Sequence, residues 1–337
     1  EHMLKGKSEP VPLWRAERVI AYRGGGGRAT GLESPFVGRE GELRLVKDLF
    51  HATSDEGRAR LVSIVGIAGI GKTRLSAEFE RYLDGLVGEV YWHRGRCLAY
   101  GDGVAYWALA EMVRMRAGIS EGDEPEAAAA RLRDALETHL ADAEERAWVE
   151  QRLAQLLGAA QQESFARDDL FAAWRLFFER LAERSPTVLV FEDLQWADPA
   201  LLDFVDYLLD WSRAHPLFVL TLARPELAEK HPGWSGTKRD FTSLALEPLS
   251  DDAMDALLAG LVPGLPSGLR ARIRERAEGV PLYAVETVRM LLDRGLVRRD
   301  GDGYVAADDI GSLEVPETLH ALIAARLDGL GPEERRA

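Results

Sequence analysis

Short runs of apolar and β-branched residues recur along the chain and predict the strands of a buried sheet. The runs cover residues 61–65, 89–92, 187–191, 217–222 and 241–246. The run at 187–191 is apolar almost throughout, which is typical of parallel strands that are covered on both faces. Stretches with helical spacing lie between the runs, and the clearest, Asp169 to Arg184, has a broad apolar face.

Most of the remaining stretches have a helical pattern. Residues 120–162 are rich in alanine, arginine and glutamate and predict a helical insertion with a solvated face. Its leucines recur every four residues: Leu132, Leu136 and Leu140. Residues 250–294 predict three short helices, with Pro281 in the first turn of the last. A hairpin is predicted at 297–305, and a final amphipathic helix after Val315.

A glycine-rich turn, Gly66 to Thr73, follows the first predicted strand and precedes a helical stretch. Its glycines allow successive backbone N–H groups to point at phosphates, and the following helix adds the positive end of its dipole. Lys72 would reach the β- and γ-phosphates, and the Thr73 hydroxyl would bind Mg²⁺. The alternative is a strand-to-helix turn that binds nothing. Such a turn does not require lysine and threonine directly after the last glycine.

Two acids, Glu192 and Asp193, stand at the end of the strand predicted at 187–191. The carboxyl ends of parallel strands form the edge where open α/β sheets bind ligands. One carboxylate could hold Mg²⁺ and the other could polarise an attacking water. The alternative is that both acids cap the next helix, but Asp198 already fits that role.

Two arginines are further candidates. Arg224 follows the strand predicted at 217–222 and could sense a γ-phosphate by its charge. A surface arginine before a turn proline is about as good an interpretation from these residues alone. Arg39 lies in the sequence FVGRE at a predicted helix start. Taken alone, the tripeptide Gly38-Arg39-Glu40 is more typical of a helix cap with surface salt bridges.

Composition limits the classes of function. With 337 residues we expect two or more domains, and the net charge of −14 argues against a dedicated nucleic-acid or anionic-membrane surface. The single cysteine, Cys97, excludes an internal disulfide and a cysteine-based zinc site. Neither a membrane-length apolar run nor a signal core is visible, so we expect a cytoplasmic protein.

Six motifs, in this order, resemble the STAND-type, AAA+-related ATPase module found attached to bacterial class III adenylyl cyclases, large LuxR-type regulators and some serine/threonine kinases. They are FVGRE, GIAGIGKT, RGRCLAYGDGVAYW, LVFEDLQWAD, TLARPEL and GVP. The resemblance covers residues 35–330. It implies an α/β fold of the P-loop NTPase (ASCE) type, with a parallel five-stranded sheet in the order 5-1-4-3-2 followed by a helical lid. It also implies ATP or ADP and Mg²⁺ as cofactors.

The resemblance also implies roles for individual residues. Nucleotide would be bound by Arg39, Gly66, Ala68, Gly69, Ile70, Gly71, Lys72, Thr73, Arg74 and Pro281. Arg39 would lie near the base, Arg224 would be the sensor, and Pro281 would close the lid. Catalysis would use Lys72, Glu192, Asp193 and Arg224, with Thr73, Glu192 and Asp193 around Mg²⁺. Related modules more often have aspartate where this chain has Glu192, so which acid binds Mg²⁺ is left open, and Asp193 is our choice for activating water.

The first residues suggest a longer chain. Glu1-His2-Met3 resembles a cloning remnant, and residues 4–20 resemble the closing strand of class III nucleotidyl cyclase domains, followed by a linker, Gly24 to Gly27. The chain also stops where a further helix begins to form. We therefore expect an excised segment with this division: 1–34 for the end of an upstream domain and linker, 35–247 for the ATPase core, and 248–337 for the lid and the start of a following region.

These observations predict a regulatory nucleotide switch with slow ATP hydrolysis, which controls an attached effector domain such as a cyclase or a transcriptional regulator. One alternative is a scaffold that holds nucleotide without hydrolysing it and recruits an unknown protein partner. A weaker alternative is a small-molecule P-loop kinase, for which no acceptor motif is visible. We expect no bound nucleic acid and no membrane contact in this segment, and oligomerisation is compatible with the sequence.

Overall fold

A computed structural model describes residues 34–99, 105–120, 122–158, 165–234, 240–300 and 303–306. The predictions for residues 4–20, for the linker at 24–27 and for the helix after Val315 lie outside these residues.

Five parallel strands form one sheet in the spatial order β2-β3-β4-β1-β5. They are β1 (Arg60–Val65), β2 (Tyr91–Arg96), β3 (Thr187–Glu192), β4 (Leu217–Ala223) and β5 (Phe241–Ala245). This is the predicted order read from the opposite edge, so the fold prediction is confirmed. The central strands β3 and β4 are buried along their whole length, which explains their largely apolar sequence.

Helices cover both faces of the sheet. They are α1 (Glu40–Glu56), α2 (Lys72–Asp84), α3 (Trp107–Ala117), α4 (Pro125–His139), α5 (Ala143–Leu156), α6 (Arg167–Ala182), α7 (Pro199–Trp211) and α8 (Glu226–Lys230). Phe50 of α1 and Phe79 of α2 pack on Phe218 of the sheet at one face. Helices α3 to α7 build the core at the other face, and the regularly spaced leucines of α4 are buried in it.

Strand β2 begins and ends later than predicted. We expected residues 89–92, but the strand runs from Tyr91 to Arg96 and pairs with β3 up to Glu192. Arginines at a strand end carry no strand pattern of their own. They are accommodated because Arg94 pairs with Glu80 of α2 and Arg96 pairs with Glu192.

Three C-terminal helices form an apolar core apart from the sheet, together with a small hairpin. They are α9 (Asp251–Leu261), α10 (Ser267–Ala277) and α11 (Pro281–Asp293), followed by β6 (Val297–Asp300) and β7 (Gly303–Ala306). The side-chain oxygen of Ser250 caps α9, and Pro281 occupies the first turn of α11. Within the described part of the chain, no helix is long and apolar enough to cross a membrane.

A short N-terminal segment, residues 34–38, lies between the sheet and the C-terminal helices. Phe36 packs against the apolar core on the α1 and α2 face of the sheet, and Val37 packs against the core of the C-terminal helices. Gly38 has a φ of +69°, and a Cβ there would lie 2.7 Å from the Ala253 Cβ of α9. The neighbouring residues 36 and 37 therefore belong to two different cores.

Candidate functional site

The glycine-rich turn joins β1 to α2 at the carboxyl edge of the sheet. Helix α2 begins at Lys72, with Gly71 as its N-cap residue. Gly69 and Gly71 have φ values of +77° and +109°, which L-residues rarely adopt, so the turn needs glycine at both places. Ile70 between them is fully buried and anchors the turn in the core, while Thr73 is exposed in the first helical turn. The turn thus places backbone N–H groups and a hydroxyl at a helix N-terminus.

Lys72 lies at the centre of the candidate site. Its side chain is only 9% exposed, and its Nζ donates hydrogen bonds to the carbonyl oxygens of Gly66 at 2.7 Å and Ile67 at 2.9 Å. Burial lowers the pKa of Lys72, and the positive charge of Arg224 lowers it further, whereas the charges of Asp193 and Glu226 raise it. Lys72 therefore lies within electrostatic reach of the sensor candidate and of one acid of the pair.

The two acids have different environments. Glu192 is 3% exposed, and its carboxylate lies 3.0 Å from Arg96 Nη2 and 3.7 Å from Arg94 Nε. The Asp193 side chain is 42% exposed and lies 3.7 Å from Arg96 Nε. Buried charge needs pairing of this kind, and two arginines supply it to Glu192. Asp193 is the acid of the pair whose charge acts on Lys72.

Asp193 also has an unusual backbone. Its φ of +55° lies in the left-handed region, which aspartate tolerates better than most residues. This conformation turns the chain out of β3 and into a 3-10 helix, Leu194–Trp196. The predicted capping role of Asp198 is also found, because its side chain accepts a hydrogen bond from Ala200 N at 2.8 Å.

Arg224 follows β4 and is partly buried. The turn at this strand end is tied to the phosphate loop, because Gly66 N donates to the Ala223 carbonyl oxygen at 3.2 Å. The structure therefore brings Lys72, Asp193 and Arg224 to one edge of the sheet.

Arg39 and Arg74 have partners within the chain. Arg39 is 7% exposed and donates to Glu42 Oε1 at 2.9 Å and to the carbonyl oxygen of Glu247, which connects α1 to the segment after β5. The salt bridge with Glu42 is partly buried, unlike the surface pairs that the tripeptide alone suggested. Arg74 is bonded to Glu78 at 3.0 Å.

Pro281 lies where the C-terminal helices touch the phosphate loop. The backbone N–H of the next residue, Leu282, donates to the Gly69 carbonyl oxygen at 3.2 Å. A Cβ at Gly69 would lie 2.8 Å from Leu282 Cβ and 3.2 Å from Val280 Cγ1. The start of α11 is thus seated directly on the apex of the loop, and this position requires glycine for space as well as for its positive φ.

Sequence reasoning missed Gln195. This residue is 3% exposed and lies between Asp193 and Arg224. Its sequence signals are its position two residues after the acid pair and its place in the LVFEDLQWAD motif, and neither assigns it a role, since an amide in a polar-aromatic turn can have many. On its other side a cavity of about 340 Å³ separates the 3-10 helix from the start of α3. Cys97 lines this cavity, and burial raises the pKa of its thiol to about 12, which keeps it protonated and unreactive.

The donor set fits a nucleoside triphosphate with Mg²⁺. Positive-φ glycines, a helix N-terminus and Lys72 supply positive potential for phosphates. The oxygen ligands that the sequence predicts for Mg²⁺ are those of Thr73, Glu192 and Asp193. Among the described residues there is no cluster of three or more metal-ligating side chains. A magnesium ion at this edge would then be held by one or two protein oxygens together with phosphate oxygens, as this cation prefers.

Comparisons with known proteins agree with this geometry. The family model described as AAA ATPase domain matches residues 35–220. The uncharacterized protein R02095 of Rhizobium meliloti (strain 1021) is 26% identical over an alignment of 301 residues. The match covers 84% of this chain and 28% of that protein. The chain therefore spans less than a third of this curated relative.

A solved structure shows the same fold at low identity. The Aeropyrum pernix ORC1 protein, solved in complex with DNA, matches with a TM-score of 0.52 and 12% identity, over 88% of this chain and 66% of that one. The STAND protein PH0952 of Pyrococcus horikoshii, which has a tetratricopeptide repeat sensor, matches with a TM-score of 0.42 and 15% identity, over 91% of this chain and 48% of that one.

Proposed function

Because the chain belongs to the AAA ATPase domain family, we propose that it is an ATP-binding regulatory module that hydrolyses ATP slowly. The observation that carries this proposal is the hydrogen bond between Leu282 N and the Gly69 carbonyl oxygen. It joins the C-terminal helices to the apex of the loop that would hold phosphates. A change at the phosphates can therefore alter the position of those helices, which is what a switch requires.

The residues of the candidate site have different roles in binding and hydrolysis. The N–H groups of the loop and Lys72 bind the β- and γ-phosphates, and Thr73 together with the Asp193 carboxylate would hold Mg²⁺, which would neutralise phosphate charge when bound. Asp193 is the acid of the pair whose charge acts on Lys72, and it also orients the attacking water and accepts its proton. Glu192, already paired with Arg94 and Arg96, fixes the end of β3.

The proposed switch depends on the γ-phosphate, which distinguishes ATP from ADP. Lys72 and Arg224 both present positive charge toward the same edge, and ATP offers them one more phosphate than ADP. A ligand shifts a conformational equilibrium only by its difference in affinity for the two states. Contacts of the γ-phosphate with these two side chains supply that difference, and the Gly69–Leu282 contact transmits it to α11.

The attached effector is a further part of this proposal. The resemblance of residues 4–20 to the end of a cyclase domain supports a nucleotidyl cyclase as the controlled domain. The net charge of −14 supports a segment that does not bind nucleic acid, although the ORC1 relative was solved with DNA. Control of the effector would then pass through protein contacts.

A scaffold that keeps nucleotide without turnover is the second candidate. It is favoured by the pairing of Glu192 with two arginines, because a neutralised acid is a poor ligand for Mg²⁺. Phosphate release by the purified protein separates the two functions. Release that disappears in a Lys72 variant supports the switch, and ATP binding without release supports the scaffold.

Replacement of Lys72 tests nucleotide binding. Lys72→Ala removes a charge-assisted contact to phosphate, so we expect ATP affinity in a calorimetric titration to fall at least about tenfold. Lys47→Ala, on α1, is the matched control and should bind ATP as the unmodified chain does. Equal ATP affinity for Lys72→Ala and Lys47→Ala would reject the proposed site.

Replacement of Asp193 tests hydrolysis. Asp193→Asn keeps the size of the side chain and its tolerance of a positive φ but removes the base. We expect ATP affinity within about threefold of normal and a turnover at least about a hundredfold lower, in the range of general-base effects. Asp198→Asn, which retains a good N-cap, is the control. Normal turnover in Asp193→Asn would assign the base elsewhere.

A further inference from the structure

Gln195 uses both ends of its side-chain amide to connect two strand ends. Its Nε2 donates to Asp193 Oδ1 at 3.2 Å, and its Oε1 accepts from the backbone N–H of Arg224 at 3.1 Å. The side chain is 97% buried, so these two bonds are partly shielded from water. A carboxylate or an apolar side chain of the same length cannot make both bonds, because a carboxylate has no donor and an apolar side chain has neither a donor nor an acceptor.

The bond to Asp193 is the closer of the two polar contacts of that carboxylate. Arg96 Nε lies 3.7 Å away, beyond hydrogen-bond distance, whereas Gln195 Nε2 is within it. The Arg96 side chain is also 56% exposed, so its hold on Asp193 is weakened by solvent. Gln195 therefore does most to set the direction of the Asp193 carboxylate.

The bond to Arg224 extends the connection to the phosphate loop. Arg224 directly follows Ala223, whose carbonyl oxygen accepts the hydrogen bond from Gly66 N. Asp193, Gln195, the β4 turn and Gly66 thus form one hydrogen-bonded path along the carboxyl edge of the sheet. Every link of this path involves the backbone or a buried amide, which favours a rigid connection.

We propose that Gln195 is a positioning residue, which holds the Asp193 carboxylate and the Arg224 turn in fixed register on either side of Lys72. This inference rests on the proposed ATPase function. It goes further by assigning to a neutral amide the alignment of the acid with the sensor. Gln195 does not touch the reacting atoms; it acts through Asp193 and through the backbone of Arg224.

Two substitutions separate the two bonds. In Gln195→Glu, one carboxylate oxygen can still accept from Arg224 N, but the other faces Asp193 with no proton to donate and adds a like charge. In Gln195→Leu, both bonds are lost at similar volume. The matched control is Gln155→Glu. Gln155 also accepts a backbone hydrogen bond, from Phe165 N at 3.2 Å, but it lies in α5 of the helical insertion and not at the strand ends.

The experiment measures ATP affinity, with and without Mg²⁺, and single-turnover phosphate release for the full chain, each corrected for the folded fraction found by thermal unfolding. For both Gln195 variants we expect turnover at least about tenfold lower, while ATP affinity without Mg²⁺ changes less than about threefold. We also expect Mg²⁺ to raise ATP affinity by a smaller factor than in the unmodified chain, because Gln195 orients the Asp193 carboxylate that would hold Mg²⁺. Gln155→Glu should match the unmodified chain in all three measurements.

A purely structural role for Gln195 predicts another result. The variants would then lose thermal stability, but their folded fraction would turn over ATP, and respond to Mg²⁺, as the unmodified chain does; this result would overturn the inference. If the unmodified chain binds ATP but releases no phosphate, the ratio of affinities with and without Mg²⁺ still decides the role of Gln195. An unmodified chain that binds no ATP would refute the proposed function and this inference together.

Discussion

At the scale of single residues, His93 is a buried histidine that must stay neutral. It is fully buried in β2, its Nε2 accepts from Arg116 Nε at 2.9 Å, and its Nδ1 lies 3.3 Å from the Val188 carbonyl oxygen. The Arg116 donor requires an unprotonated Nε2, which places the proton on Nδ1. Burial, followed by the charge of Arg116, lowers the pKa of His93 to about 3.

This histidine predicts a loss of stability in mild acid. The unfolded chain takes up a proton near its ordinary pKa of about 6.5, while the folded chain resists protonation down to about 3, so stability falls as pH drops between these values. From pH 7 to pH 5 we expect His93 to contribute a loss of about 2 kcal/mol. In His93→Gln, urea unfolding at the two pH values should show a correspondingly smaller difference. An unchanged difference would mean that His93 is protonated in the folded chain.

The contrast between Glu192 and Asp193 shows what residue patterns can and cannot predict. The position of both acids at a sheet edge followed from local sequence, since a buried strand leads directly into them. Their different environments did not, because the partners of Glu192 are arginines of a strand that is distant in sequence and that was predicted to end before them. Pairing register is a tertiary property, and the charged residues of β2 gave no local sign of it.

At the scale of elements, the contact between β2 and α3 depends on Gly95. A Cβ at Gly95 would lie 1.9 Å from the Ala108 carbonyl oxygen, so the helix lies directly on the strand at this point. We expect Gly95→Ala to lower the free energy of unfolding by about 2 kcal/mol or more, because a backbone atom has to move. Gly88→Ala, where a Cβ meets nothing within 4 Å, should stay within about 0.5 kcal/mol. Equal midpoints in urea for both variants would contradict this packing.

Elements were predicted best where one physical pattern determines them. The largely apolar runs predicted β3 and β4, and Pro281 in the first turn predicted the start of α11. The predictions were less good where partners decide, as at the end of β2, and for Gln195, whose two bonds join separate strand ends. Side-chain amides have no periodic pattern that would reveal such a connection.

At the scale of the whole molecule, α11 and the phosphate loop hold the two cores together. Leu282 is 36% exposed, and its side chain approaches Gly69. Leu282→Ala removes part of this apolar contact, so we expect ATP affinity to fall about threefold to tenfold, corresponding to roughly 1 kcal/mol of partly buried surface. Leu45→Ala on α1, with 39% exposure, is the matched control.

The same pair of variants can be followed by energy transfer between a label on α1 and a label on α10. We expect the addition of ATP to change the transfer in the unmodified chain and in Leu45→Ala, and to change it less in Leu282→Ala. A normal response in Leu282→Ala would show that the two cores communicate by another route.

The segment at residues 34–38 restricts how those cores can move. Phe36 belongs to the core at the sheet and Val37 to the core of the C-terminal helices, and the chain crosses between the same two cores again from Leu246 to Leu249, so rotation of one core against the other has to be absorbed at these two crossings. A conformationally restricted residue between Phe36 and Gly38 would limit the rotation of the two cores against each other without contacting the nucleotide or the acid pair. The hinge of the proposed switch would thus include the two peptide units between Phe36 and Gly38.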